Sequence, residues 1–274
     1  MSFEGSWTLT SGPRPCSTGG NVKLIIVLAD LQVPYQDPKY IVVMRNFVQE
    51  MRASRQFDQV EVGQIGDLMD QPEVGRWNKG AAGEYSGTFW SSVKATREII
   101  QLFNFDWIKV GNHDRRVEDY IAKYAPAIGG GDSEWTLEKL LEVRGNPRLL
   151  RHQPFKMAPG WIAAHGDEGG LSQVAGQTAF NLSKRWDASV VCGHTHRAGS
   201  VSTTIGMAGK RRRITGMEVG NGMLEASATY IKSAAPNWQK GAGIFVVDKG
   251  QTYDQLVMMT PDCRFVYDGR VYKP

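Results

Sequence analysis

Residues 22–32 read VKLIIVLADLQ, and this stretch decides the fold. Apart from Lys23, the run from Val22 to Ala29 is continuously apolar and rich in β-branched residues. A strand buried on both faces needs such a run, whereas a half-exposed strand alternates apolar with polar. Doubly buried strands belong to α/β sheets, which gather their chemistry at the C-terminal ends of the strands. Asp30 and Gln32 stand at that end.

Outward from this strand the pattern repeats. Asp37-Pro38 opens a helix expected from Lys39 to Ala53, with Ile41, Met44, Phe47, Val48 and Met51 on one face. A strand follows from Phe57 to Gly66, a helix from Ser86 to Phe103, and a strand from Asp106 to Val110. This βαβ rhythm makes a sheet covered by helices. Further on, Trp135 to Val143 and Leu171 to Trp186 are expected as helices. Phe155 to Ala164 reads as two strands about Pro159-Gly160, and Ala188 to Cys192 as a buried strand. After Arg197 come short alternating segments, Ser200–Ile205, Arg213–Val219, Gly243–Asp248 and Tyr253–Met259, expected to form an antiparallel meander. Residues 1–20 are rich in Gly, Ser, Thr and Pro and read as a tail, leaving 21–274 as a single domain of two mixed sheets with helices outside.

Composition bounds the function class. With 274 residues, 41% hydrophobic and 22% charged, the chain is expected to be an ordinary soluble protein, neither disordered nor fibrous. A net charge of +4 suits an anionic substrate but is too small to mark a dedicated nucleic-acid binder. No apolar run is long enough to span a membrane, and Met1 to Trp7 lacks the pattern of a signal peptide, so the cytoplasm is the expected compartment. Cys16, Cys192 and Cys263 have no paired spacing, which argues against disulfides or a zinc knuckle. Cys192 reads as a small buried apolar residue.

Five segments hold the chemistry: Asp30-Leu31-Gln32, Gly66-Asp67-Leu68-Met69-Asp70, Gly111-Asn112-His113-Asp114, Ala164-His165-Gly166-Asp167 and Gly193-His194-Thr195-His196. Each follows an apolar run, and four of the five histidines fall within them. A Gly-Asp pair after a strand is by itself a common turn. The joint occurrence of carboxylates, an Asn amide and imidazoles at five strand ends is instead the ligand set for Mn, Fe, Zn, Ni or Mg. Thiolates are missing from the set, which argues against a structural zinc.

These segments resemble the calcineurin-like metallophosphoesterase superfamily, whose signature runs D-x-H, G-D-x-x-D, G-N-H-D/E, H and G-H-x-H. The match covers Asp30 to His196. The resemblance implies a four-layer α/β/β/α sandwich of two mixed sheets flanked by helices, with two divalent metal ions at the strand ends, manganese foremost. By the same resemblance, Asp30 and His196 would bind the first metal and Asn112, His165 and His194 the second, with Asp67 bridging. His113 would act on the phosphoryl or leaving-group oxygen, oriented by Asp70 or Asp114. A hydroxide bridging cations about 3.5–4 Å apart would attack the phosphorus.

One departure stands out: Gln32 occupies the place of the family's first histidine. Its side-chain oxygen would ligate, a water would replace it, or the first site would be weakly held; an active enzyme with a loosened, Mn-preferring first site is the favoured reading.

For the substrate, Arg115 could clamp a phosphate, with Arg116 beside it. Trp77 and Tyr85, in a Gly- and aromatic-rich stretch between Gln71 and Trp90, could stack a base. The basic run Lys210 to Arg213 could touch a polynucleotide, although a solvated hairpin tip is the simpler reading. Trp161 and Trp186 read as core, and His152 as exposed and idle. The expected function is thus a dinuclear metal-dependent phosphodiesterase for small nucleotide-type esters, cyclic nucleotides included. A DNA or RNA exonuclease and a catalytically weakened scaffold are the alternatives. A nucleic-acid partner is not favoured, no membrane partner is expected, and the oligomeric state is open.

Overall fold

The computed structural model describes residues 21–75, 89–130, 133–143, 149–227 and 236–274. The tail with Cys16, and the stretch carrying Trp77 and Tyr85, lie outside the described residues.

Two mixed sheets are built in alternation with helices. The chain runs β1 (Lys23–Leu28), α1 (Pro38–Ala53), β2 (Gln59–Gln64), α2 (Phe89–Phe103), β3 (Trp107–Lys109), α3 (Arg116–Tyr124), α4 (Leu137–Leu140) and β4 (Leu150–Arg151). It continues through β5 (Phe155–Ala158), β6 (Trp161–Ala163), α5 (Gln177–Trp186), β7 (Ser189–Cys192), β8 (Ala198–Met207) and β9 (Lys210–Val219). Last come β10 (Gly241–Asp248), β11 (Gln251–Met258) and the hairpin β12 (Phe265–Tyr267) and β13 (Arg270–Tyr272). The first sheet has the order β11-β10-β1-β2-β3-β4, the second β5-β6-β7-β9-β8.

The layers follow from which side chains are hidden. Ile25, Val27 and Phe245 of the first sheet pack with Ala163, Val191 and Met217 of the second, forming the core between the sheets. The opposite side chains of β1, Leu24, Ile26 and Leu28, pack against α1 through Met44, Phe47 and Met51. On the outer side of the second sheet, Leu182 and Trp186 of α5 meet Ile162 and Val190. Helix, sheet, sheet, helix is the four-layer sandwich, and the doubly buried β1 at its centre is the reason residues 22–29 lack alternation. Phe47 is fully buried and meets Phe265, Tyr267 and Tyr272 edge-on at 5.0–5.3 Å, which anchors the C-terminal hairpin.

The strand segments after Arg197 are not one meander. β8 and β9 pair antiparallel in the second sheet, while β10 and β11 pair antiparallel in the first. β9 runs parallel to β7, and β10 antiparallel to β1. Helix α5 begins at Gln177, after Gly176 at φ 82°, so 171–176 is loop. Helix α4 spans only four residues. Cys192 and Trp161 are buried as expected, and Trp186 is half-buried. His152 is exposed and bonded to Glu138 at 2.8 Å. No described helix is long and apolar enough to cross a membrane.

What matters for the site is direction. β1, β2 and β3 run parallel in the first sheet, and β6 and β7 parallel in the second. Their five C-terminal ends launch the five segments singled out in the sequence.

Candidate metal centre

The segments after β1 and β2 continue their ladder beyond the strands, through Asp30 N to Gly66 O at 3.1 Å and Gln32 N to Asp67 O at 3.0 Å. This lays Asp30, Gln32 and Asp67 side by side. Across the cleft the His194 amide donates to both Asp30 oxygens, at 3.1 and 2.9 Å, and so joins the second sheet to the first.

Five residues here hold an uncommon backbone. Asp30, Gln32, Asp67, His194 and His196 all have positive φ, between 48° and 66°. The left-handed region costs a residue with a Cβ roughly 1–2 kcal/mol. Such strain persists where surrounding contacts over-determine it, and clusters at functional sites. Glycines make the close approach feasible: a Cβ on Gly111 would overlap the Asp67 carboxylate, and one on Gly193 the Asp30 carboxylate.

Asp67 is the hinge of the arrangement. Its Oδ1 lies 3.2 Å from His165 Nε2 and accepts the His113 amide at 2.8 Å. Its Oδ2 accepts from the Gln32 amide at 3.1 Å. From these two oxygens the donors divide into two sets. On the Oδ1 side, His165 Nε2 is 3.1 Å from Asn112 Oδ1, and its ring packs edge-on against His194 at 4.9 Å. On the Oδ2 side, Gln32 Nε2 is 3.4 Å from His196 Nε2, which is 3.4 Å from Asp30 Oδ1. All seven side chains assigned as ligands therefore meet.

Burial makes this cluster demand positive charge. Asp30 and Asp67 are both essentially inaccessible, and among the described residues their ion-pair partners are histidines alone. Burial opposes ionisation of Asp67, but the surrounding His113, His165 and His194 hold its carboxyl well below the usual range. Burial likewise disfavours the His165 imidazolium, yet Asp67 overrides it and pushes the group up to about 10. His194 is pushed down, by burial and by His165 beside it.

The residues fit a metal ion. One ligand atom each from Asp67, His165 and His194 lie within 4.8 Å of one another. Gln32 Oε1, His194 Nδ1 and His196 Nδ1 are buried with no hydrogen-bond partner among the described residues. Buried polar atoms left unpaired are costly, and a cation would satisfy those that accept, Gln32 Oε1 first. His165 is aimed by its other nitrogen, Nδ1, 3.0 Å from Ile65 O, in the way that ligating histidines are held. Its loop is braced by Glu168, which accepts from Gly166 N at 2.7 Å and pairs with the buried Lys109 at 3.3 Å.

Beside the donors sits His113. Its Nδ1 meets Asp70 Oδ1 at 2.6 Å, so of the two acids considered it is Asp70 that contacts the ring. Asp114 lies elsewhere, accepting the backbone amides of Asp67, Met69 and Gly111 at 2.8–2.9 Å and thereby tying the loops after β2 and β3 together. Burial works against the His113 imidazolium and the Asp67 and Asp70 carboxylates work for it, leaving its pKa raised. Arg115 reaches away from the imidazole to Asp167 at 3.2 Å. Its neighbour Arg116 takes the more intimate position, 2.8 Å from His113 Nε2 and 2.6 Å from Asp70 O. The sequence reading favours Arg115 for the phosphate; it is Arg116 that contacts His113, a difference that depends on where α3 begins. Trp238, which no motif marks, lays its ring 4.3 Å from that of His196.

No family model matches the chain. The gene 54 proteins of Mycobacterium phages D29 and L5 are 36% and 35% identical to it over 259 residues, covering 92% of this chain and 99% of each of theirs. Among solved structures it is similar to vacuolar protein sorting 29 from Cryptosporidium parvum, at 14% identity and a TM-score of 0.44, over 92% of this chain and 96% of that one. It is also similar to the NAD nucleotidase of Haemophilus influenzae, at 10% identity and a TM-score of 0.43, over 90% of this chain and 53% of that one. Likeness at that level carries no inference about activity.

Proposed function

Since the chain belongs to the family of the mycobacteriophage gene 54 proteins, and its strand-end signature is that of the calcineurin-like metallophosphoesterases, we propose that it is a metal-dependent phosphodiesterase acting on small nucleotide-type esters, cyclic nucleotides included. The observation that supports this reading is the division of donors about Asp67. Oδ2 of that carboxylate meets Gln32, which leads on to His196 and Asp30, and Oδ1 meets His165, which leads on to Asn112.

Asp30, Gln32 and His196 would hold one divalent ion, Asn112, His165 and His194 a second, and Asp67 both; manganese suits a first site with an amide oxygen in place of imidazole. When bound, such ions supply positive charge to the phosphoryl oxygens and ease the ionisation of a water near neutral pH.

The chain's own side chains do the rest. With the Nδ1–H of His113 given to Asp70, Nε2 is the atom that would meet the leaving-group oxygen and hold or release a proton there. Arg116 donates to the same nitrogen, so an arriving phosphate would draw its guanidinium onto an anionic oxygen and free the imidazole. Arg115, partly exposed, would contribute at longer range.

A small ester is favoured over a polynucleotide because the basic run is already engaged. Arg212 pairs with Asp187 and Arg213 with Asp254, which leaves fewer free cations for a phosphate backbone. The test is turnover by the purified protein with Mn²⁺, Mg²⁺, Ni²⁺, Fe²⁺ or Zn²⁺. The substrates are a chromogenic aryl phosphodiester, a cyclic nucleotide and an end-labelled DNA or RNA strand. Hydrolysis of the first two is expected. Digestion of the strand alone would mark an exonuclease, and no turnover with any metal a scaffold.

A further inference from the structure

Behind the turn bearing His194 and His196 lies Glu218, a fully buried carboxylate on β9. It stands opposite Cys192 in the parallel pairing of β7 with β9, directly below the point where β7 gives way to the turn. Its Oε1 accepts the amide of Thr178, the second residue of α5, at 2.8 Å. Its Oε2 accepts the hydroxyl of Thr195 at 2.7 Å. Thr195 is the residue between the two histidines.

We propose that Glu218 is a positioning residue of the metal centre, gripping Thr195 so that His194 and His196 project into one cavity. The inference rests on the metal-site reading above. Two histidines separated by one residue share a face on extended backbone, but this segment is a turn, and its own contacts must set the angle between them. Here both adopt positive φ, 66° and 58°, and the strain needs contacts that hold it in place. The turn is pinned at several points. Thr195 N donates to Gly193 O at 2.7 Å, and Thr195 Oγ1 also accepts from Arg197 N at 3.2 Å. The His196 carbonyl accepts from Gln239 N at 2.9 Å and Asn221 Nδ2 at 3.1 Å. Glu218 is the pin that accepts from the hydroxyl of the residue between the ligands and ties it to the neighbouring strand and helix.

A buried carboxylate is a costly way to fill space, because its desolvation must be offset by donors. The donors of Glu218 are neutral, one amide at the positive end of α5 and one hydroxyl. A carboxylate accepts from both at once, whereas an apolar residue of similar volume would leave both unpaired. The chain thus commits a charge to fixing the angle of a turn, and groups that orient ligands set metal affinity as well as shape.

The experiment uses metal-stripped full-length protein, titrated with Mn²⁺ by calorimetry, with the melting temperature of each variant recorded without metal. Thr195→Val keeps the shape but removes the hydroxyl, and should weaken Mn²⁺ binding by about 10–100-fold. Thr195→Ser, which keeps the hydroxyl, should restore binding to near the unsubstituted value. Glu218→Gln, which cannot accept from both donors with equal strength, should weaken it by about tenfold and serves if the valine variant does not fold. Unchanged Mn²⁺ affinity in a folded Thr195→Val or Glu218→Gln protein, whatever its melting temperature, overturns the proposal while leaving the metal centre standing. Failure of the unsubstituted protein to bind Mn²⁺ removes both.

Discussion

The side-chain amide of Gln32 lies 3.1 Å from Oδ2 of Asp67, the carboxylate whose other oxygen lies 3.2 Å from His165. Gln32 thus stands where a ligand to the first ion would stand. Its Nε2 faces Asp67 and His196 while Oε1 is buried with no hydrogen-bond partner among the described residues. A half-turn of the amide exchanges the two atoms and turns an acceptor toward the cavity.

Replacing that amide with imidazole is the first prediction. Gln32→His should tighten Mn²⁺ binding by about tenfold, because a neutral nitrogen donor suits transition ions better than an amide oxygen. The left-handed backbone at residue 32, φ 54°, is one that histidine tolerates comparatively well. A Mn²⁺ titration and steady-state rates check it; no change in either would place Gln32 outside the coordination sphere.

The His113 ring touches Asp70 and Arg116, while its backbone amide, which a side-chain substitution leaves in place, donates to Asp67 Oδ1. His113→Ala should lower turnover of a chromogenic diester by about 10²–10⁴-fold while leaving metal uptake intact. Loss of the metal along with the rate would recast His113 as a structural residue of the centre.

Metal removal should destabilise the protein. At an ion concentration one hundred times the dissociation constant, binding adds about 2.7 kcal/mol to folding. A chelator should therefore lower the melting temperature by about 5–10 °C. Asp67→Asn should gain less in melting temperature from Mn²⁺ than the unsubstituted protein does. If the unsubstituted protein does not respond to the chelator, no ion contributes to its stability.

Asp37 offers a pH test away from the site. It caps α1 by accepting Lys39 N at 2.8 Å, and its other oxygen lies 2.8 Å from the Lys240 ammonium. Burial raises its pKa, but Lys240 and the capping amide outweigh that and leave it lowered. A folded pKa below the unfolded value of about 3.9 means stabilisation that is complete well above pH 4 and lost as pH falls through the folded value. Asp37→Ala should cost about 1–2 kcal/mol in urea unfolding at pH 7, with the gap to the parent narrowing below about pH 4. A gap of constant size down to pH 3 would assign the effect to packing instead.

The grouping of the candidate donors was largely legible in the sequence because they sit at strand ends. Asp30 follows a continuous apolar run and Asp67 an alternating one, both patterns of strands, and the histidines share short segments with glycines that permit close approach. The partnering of strands was not legible. β9 and β10 are both apolar in their inner halves, and only long-range pairing assigns one to β7 and the other to β1. Helical spacing suggested that α5 starts at Leu171, but the close approach of Gly176 to the Gly199 backbone delays it. The hairpin β12–β13 did carry a readable signal, Asp268-Gly269, with both residues at positive φ. Arg116 was marked only by its place after the His113 segment, and Glu218 by nothing, since each acts through a neighbour brought to it by the fold.

The most direct measurement is a count of ions. Metal-stripped protein dialysed to equilibrium against Mn²⁺, with bound metal determined per chain, should hold two, and Asp67→Asn at most one. A chain that takes up none, or an Asp67→Asn variant that still holds two, would contradict the assignment of this cleft as a dinuclear centre bridged by Asp67.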